Sequence, residues 1–235
     1  MGDHADGLIV RRPPPASFRL DRRSLAEGTD LVLIVAFLLV YIWIIEPRTQ
    51  AYAWHAFGLF LAFTVLSSRR HGDTRADLGI RLDTFRRALA EAAVVFSPAL
   101  LLTLAIGLYF GSGSHVTTRH ITLSLLGGYP WALFQQYGLQ CVIGRRLRVL
   151  IPQAAAHDAV CAAIFAVLHL PNPFLTVVTF GAGYCFCALF RRCPNLFVLA
   201  LAHAVASTVL YHALPAATTH LMRVGPGYYQ QAGLD

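Results

Sequence analysis

The chain contains no lysine and little charge of either sign. Of its 235 residues only 13% are charged, about half the share of a soluble domain. Such a chain cannot clothe itself in water, so a soluble globular enzyme is excluded and an integral membrane protein is expected. All 19 basic residues are arginine, which we read as codon bias. Cysteine is scarce and follows no pairing pattern. Cys141, Cys161, Cys185, Cys187 and Cys193 are odd in number and scattered in apolar runs, which excludes a disulfide framework. Cys185 and Cys187 diverge on a helix and make no metal pair. The thiols read as small buried hydrophobes. No internal repeat is present, so an inverted-repeat transporter has no support.

What is present is apolar sequence. Hydrophobic residues make up 56% of the chain, and the mean hydropathy is +0.56. Seven apolar runs stand out: Leu31 to Ile45, Ala51 to Ser67, Leu89 to Phe110, Ile121 to Ile143, Ala154 to Leu170, Phe174 to Phe190 and Leu196 to Leu214. Glu46-Pro47, Gly111 to Ser114 and Pro171-Asn172-Pro173 punctuate them. Within the basic loop from Arg69 to Arg87, Asp77-Leu78-Gly79-Ile80 and Thr84 to Ala90 suggest a short amphipathic helix on the membrane surface. Residues 1–29 read as a polar cytoplasmic tail, 30–214 as the transmembrane domain and 215–235 as a short polar tail. The leading tail is too long and polar for a cleaved signal peptide.

The net charge of +7 raises nucleic acid as a partner, but the arginines lie between apolar runs. Loop by loop they number 5, 1, 6, 1, 3, 0, 2 and 1, so alternate loops hold 16 and 3. That is a positive-inside pattern with the N-terminus in the cytoplasm. The expected partner is the lipid bilayer, not nucleic acid, and the expected place is the cell inner membrane, crossed several times.

Polar residues inside the spans mark a site by default. The fourth run carries Gln135, Gln136 and Gln140. An amide in hydrocarbon is costly without a partner, and residues four apart share a helix face. His169 closes the fifth run in Phe165-Ala166-Val167-Leu168-His169. His203 and Ser207 share a face of the seventh. Three polar clusters on three spans point to one polar cavity.

In order and spacing these clusters resemble the CAAX protease and bacteriocin-processing family, which includes the type II CAAX prenyl endopeptidases. Its pattern is Glu-Glu-x-x-x-Arg, then Phe-x-x-x-His, then His-x-x-x-Asn or a similar residue. Gln135-Gln136 and Gln140 fall on the first motif, Phe165 and His169 match the second, and His203 and Ser207 fall on the third. Asp77-Leu78-Gly79, Phe174-Leu175, Gly181, Gly183, Arg191 and Pro194-Asn195-Leu196 extend the likeness over about 78–209. The resemblance implies an all-α polytopic bundle of about seven spans. It implies an intramembrane endopeptidase acting on a membrane-associated or C-terminal peptide. Gln135, Gln136, His169 and His203 would be catalytic, with Gln140, Phe165 and Ser207 in support.

The departure falls on the chemistry. Glutamate serves this family as general base, and here both positions are glutamine, while the arginine is Gln140. A carboxamide donates and accepts hydrogen bonds but takes no proton near neutral pH. The substitutions are coherent, because an arginine without its carboxylates is costly in a membrane. Replacement bases on offer are His169, His203, His157, Asp158 and Glu91. Asp158, at the start of its span, reads as a solvated cap, and Glu91 also lies near water. Histidines and amides alone do not make a usual zinc set, so neither metal nor cofactor is expected. A catalytically silent relative that binds a membrane peptide is the alternative to an enzyme. One geometric tension remains: His169 lies near the outer end of its span, and Gln135 and His203 nearer the middle. They meet only if spans tilt or the Leu170 to Pro173 turn is buried.

Overall fold

The computed structural model describes residues 22–48, 50–70, 72–111 and 116–232. Most of the polar leading tail and the Gly-Ser break near 112–115 lie outside the described residues. Among the described residues every regular element is a helix, and there are no strands. Helix α1 runs Arg22–Arg48, with a widened π turn at Tyr41–Ile45. It is followed by α2, Gln50–Arg70, and α3, Phe85–Tyr109. Helix α4 covers 118–150 and is π-helical over Tyr137–Ile143. Then come α5, Ala154–Val167, α6, Pro173–Arg192, and α7, Leu196–Ala213. Two short helices close the chain, α8 at Ala216–Thr219 and α9 at Pro226–Ala232.

Seven long helical segments thus fall on the seven apolar runs. Four of them, α1, α3, α6 and α7, are long and apolar enough by themselves to cross a bilayer. Helix α5 is shorter, at 14 residues. Leucine and valine side chains of α3 stand bare, among them Val94, Leu101, Leu102 and Leu108. In water that face would be untenable; it is a lipid-facing surface. This is an all-helical integral membrane protein.

Starts and stops follow local chemistry. The Asn172 side chain accepts from Leu175 N at 3.1 Å, and Pro173 opens α6. Asn195 does the same for α7 through Val198 N at 3.1 Å. Asn195 also donates to the Arg81 carbonyl at 2.9 Å and to Thr84 Oγ1 at 3.2 Å. The loop before α3 is therefore pinned beneath the α6–α7 corner. Gly79 makes this possible. Its φ is +67°, and a Cβ there would lie 3.0 Å from Leu196 N, the group its own carbonyl accepts from at 2.9 Å.

The separate surface helix expected from Asp77 to Ile80 and Thr84 to Ala90 does not form, and residues 75–79 are turns. Helix α3 begins at Phe85, because nothing breaks the chain between the basic turn and the apolar run. The core lies where α7 packs on α3 and α4 and where α5 packs on α6. Phe186, Leu189, Phe190, Leu199 and Phe96 fill one part. Leu139, Val142, Ile143, Cys161 and Phe165 fill the other.

Candidate functional site

The polar clusters converge. Gln140 Nε2 donates to Gln136 Oε1 at 3.2 Å, and Gln136 Nε2 lies 3.2 Å from His203 Nδ1. The direction of this chain follows from chemistry. An amide nitrogen only donates, so Gln136 presents its oxygen to Gln140 and its nitrogen to His203. His203 Nδ1 then accepts, and its proton sits on Nε2. Gln136 is fully buried and Gln140 nearly so, which an unpaired amide would not tolerate. The π turn places Gln136 and Gln140 for this contact. Such widened turns recur at functional sites.

His169 arrives from the other side. Its Nδ1 lies 2.7 Å from the Phe165 carbonyl oxygen. The Phe165 ring stands edge-on to His169 at 4.7 Å and to His203 at 5.9 Å. Phe186 flanks His203 at 5.5 Å. The sequence left a tension between the outer position of His169 and the depth of the glutamines. Here it is met at a shared cavity of about 720 Å³ lined by Gln135, Phe165 and His169. Gln136, Gln140 and His203 form the layer behind that wall. Gln135 Oε1 is buried and, among the described residues, has no hydrogen-bond partner. Ser207 lies one turn beyond His203 on α7 and makes no hydrogen bond to this cluster.

The cavity also receives groups that motif reading missed. Tyr41, Glu46 and Arg48 come from the end of α1, and Met222, Arg223 and Gly227 from the closing segment. That segment reads as a polar tail in sequence, but it is folded onto the site. Asn172 Nδ2 donates to the carbonyls of Thr219 at 3.0 Å and Arg223 at 3.1 Å, and Gly225 N donates to the Leu170 carbonyl at 2.9 Å. The one signal available was the Pro226 and Tyr228-Tyr229 cluster, too sparse to be placed without the fold.

Asp158 is no solvated cap. It is fully buried, with its carboxylate 3.0 Å from His157 Nδ1 and 2.7 Å from Arg191 Nη2. Arg191 reaches across from the end of α6, so the acid is buried as a pair. His157 Nε2 faces the Gly144 carbonyl at 2.8 Å, which ties α5 to the end of the π turn. Both bases proposed here are thus engaged in holding helices. Glu91 pairs with Arg87 at 2.9 Å on the outer face of α3, away from the site. Among the described residues no group of three or more His, Cys, Asp and Glu side chains could hold a metal ion.

Fold and site together define a helical membrane protein whose buried amide–imidazole cluster backs a cavity. Residues 128–209 match the family model of the type II CAAX prenyl endopeptidase, Rce1-like. This is the family the three motifs resemble, and the match spans all three. No curated protein and no solved structure matches the chain.

Proposed function

We propose that the protein is an intramembrane endopeptidase that hydrolyses a peptide bond in a membrane-associated or C-terminal peptide, with His169 as base. The observation that carries this reading is the bond from His169 Nδ1 to the Phe165 carbonyl, 2.7 Å long. A carbonyl only accepts, so Nδ1 holds the proton and Nε2 is left as a lone pair on a ring that lines the cavity. Gln135 also lines the cavity, with its Oε1 turned inward and unpaired among the described residues. The Nε2 lone pair suits a water molecule, which donates one hydrogen to it and turns its own lone pair toward the substrate.

In this scheme the water oxygen attacks the scissile carbonyl as its proton passes to His169 Nε2. The imidazolium returns that proton to the leaving amine as the C–N bond breaks. His203 keeps its proton on Nε2 behind the Phe165 ring, 5.9 Å away, and becomes a donor to the developing oxyanion when that ring turns aside. Gln136 and Gln140 hold that tautomer. The three amides are then hydrogen-bonding parts of a site that has exchanged its carboxylate base for imidazole.

The unit that does this is taken as 30–214, with the family-like core at about 78–209, and with the closing segment after 214 as part of the cavity wall. The arginine distribution supports an inner-membrane setting with the N-terminus in the cytoplasm. The cavity lies at the Arg48 end of α1, so it then faces the opposite side.

A silent homologue that binds a membrane peptide is the second reading. It is favoured by the absence of a carboxylate from the Gln–Gln–His cluster; Glu46 is the sole acid among the described residues lining the cavity. The test is cleavage in proteoliposomes. Wild type and His169→Ala are incubated with membrane-tethered peptides, and the products are read by mass spectrometry. Cleavage lost in the variant supports the enzyme. Peptide retained uncut by folded wild type supports the binder, and cleavage that survives His169→Ala rejects the site.

A further inference from the structure

A second cavity, of about 300 Å³, lies at the other end of α1. Arg23 of α1 and Arg145, Arg146 and Arg148 from the end of α4 line it, against two acids, Glu27 and Asp73. The lining therefore holds two more positive than negative side chains. Arg145 is bonded to Asp73. Arg146 is bonded to Ser67 and donates to the Val142 carbonyl at 2.8 Å, with Asp30 at 3.7 Å.

Two observations say that this set is incomplete. Arg146 is only 5% exposed, yet its buried Nε has no acceptor among the described residues, and a buried donor left unmade is costly. Arg23 and Arg148 make no hydrogen bond or ion pair among the described residues, although both border the same polar hollow. Guanidinium groups around a hollow suit an anion that accepts in pairs, and a tetrahedral phosphate does so. The helix ends that form it carry seven arginines, Arg22, Arg23, Arg69, Arg70, Arg145, Arg146 and Arg148, so the hollow lies where lipid headgroups would be.

We propose that this cavity binds a phosphate group, held by Arg23, Arg146 and Arg148, at the end of the bundle remote from His169. The modest charge excess fits a singly charged phosphodiester. The choline of a zwitterionic lipid would meet the same arginines unfavourably. The group can come from an anionic phospholipid or from free phosphate. The site does not depend on the protease reading.

The test is native mass spectrometry of the full chain in detergent. It is titrated separately with dioleoylphosphatidylglycerol, dioleoylphosphatidylcholine and inorganic phosphate. Wild type is compared with R23Q/R148Q and with R75Q/R86Q. The second pair removes the same charge from exposed arginines outside the cavity. Each cavity arginine lost should weaken binding about fivefold, and the pair roughly thirtyfold. The control pair should change it less than about threefold. Phosphatidylglycerol binding that depends on Arg23 and Arg148 but is not displaced by phosphate identifies the lipid source. Competition by inorganic phosphate identifies the free anion. Equal binding of the two lipids with none of phosphate overturns the proposal, as does an equal loss in both double variants. Arg23 and Arg148 are exposed and unpaired, so their replacement leaves the fold intact, which thermal melting checks.

Discussion

His169 Nδ1, in the turn that follows α5, lies 2.7 Å from the carbonyl oxygen of Phe165 in the last turn of that helix. The bond uses a carbonyl at the helix end, where backbone acceptors lack intrahelical donors. It orients the ring, sets its tautomer and leaves Nε2 free. Replacing His169 by alanine should therefore lower kcat/KM by about 10²- to 10⁴-fold, the usual weight of a general base. Peptide binding measured by fluorescence anisotropy should change little. Loss of binding together with turnover would mean that His169 shapes the cavity instead.

Gln136 gives a sharper test of the proposed roles. It donates to His203 Nδ1 and accepts from Gln140. A Gln136→Glu change places an oxygen where Nδ1 needs a donor. The His203 proton should then move to Nδ1, and its Nε2 donor is lost. Turnover should fall about 10²- to 10³-fold, as when an oxyanion donor is removed, with KM nearly constant. Nitrogen NMR of labelled histidine should report the tautomer exchange. A rise in activity would instead mark a silenced carboxylate site, with Gln135→Glu and Gln140→Arg added to complete it.

Much of this was legible in the sequence, for physical reasons. Apolar runs bounded by glycine, proline and arginine have one economical solution in a bilayer, and the helices follow them. Gln136, Gln140 and His203 could be brought together because amides and imidazoles in hydrocarbon need each other. The cavity wall was not legible. Tyr41, Glu46 and Arg223 reach it through tertiary folding of segments whose local sequence says only helix end or polar tail. Asp158 misled for the same reason. Its partner Arg191 is 33 residues away, and no helical periodicity announces that pairing.

Asp158→Asn should destabilise the bundle. The change removes one negative charge beside a buried histidine and leaves Arg191 unpaired. Breaking a buried pair costs about 3–5 kcal/mol. Arg191 retains 38% of its side-chain exposure and can turn back to water, so the lower end of that range is expected. Thermal melting in detergent measures it. Arg191→Gln should cost more than a surface ion pair, because it strands the fully buried carboxylate.

Asn172 holds three segments at once: the first turn of α6 and the carbonyls of Thr219 and Arg223. Asn172→Ala should remove about 1 kcal/mol of capping and release the closing segment from the cavity. Hydrogen exchange followed by mass spectrometry should rise over 219–230 and stay constant in α3. Unchanged exchange would show that the Gly225–Leu170 bond and the contact of Gly225 with Ile42 of α1 keep the segment in place.

Helices α3 and α7 cross in close contact at Gly107. A Cβ added at Gly107 would overlap the carbonyl oxygen of Ala213 and stand 2.9 Å from its carbon. Backbone cannot step aside as a flexible side chain does, so the two helices must part. Overpacking of this kind costs about 1–3 kcal/mol. Gly127 in α4 has no atom within 4 Å of its built Cβ, so Gly127→Ala should be neutral or slightly stabilising through helix propensity. Both variants add the same methyl group to a membrane helix. A fall in Tm for Gly107→Ala alone would therefore assign the loss to the crossing. Equal melting of the two would mean that α3 can slide along α7 without loss, and the close approach would then add nothing to the stability of the bundle.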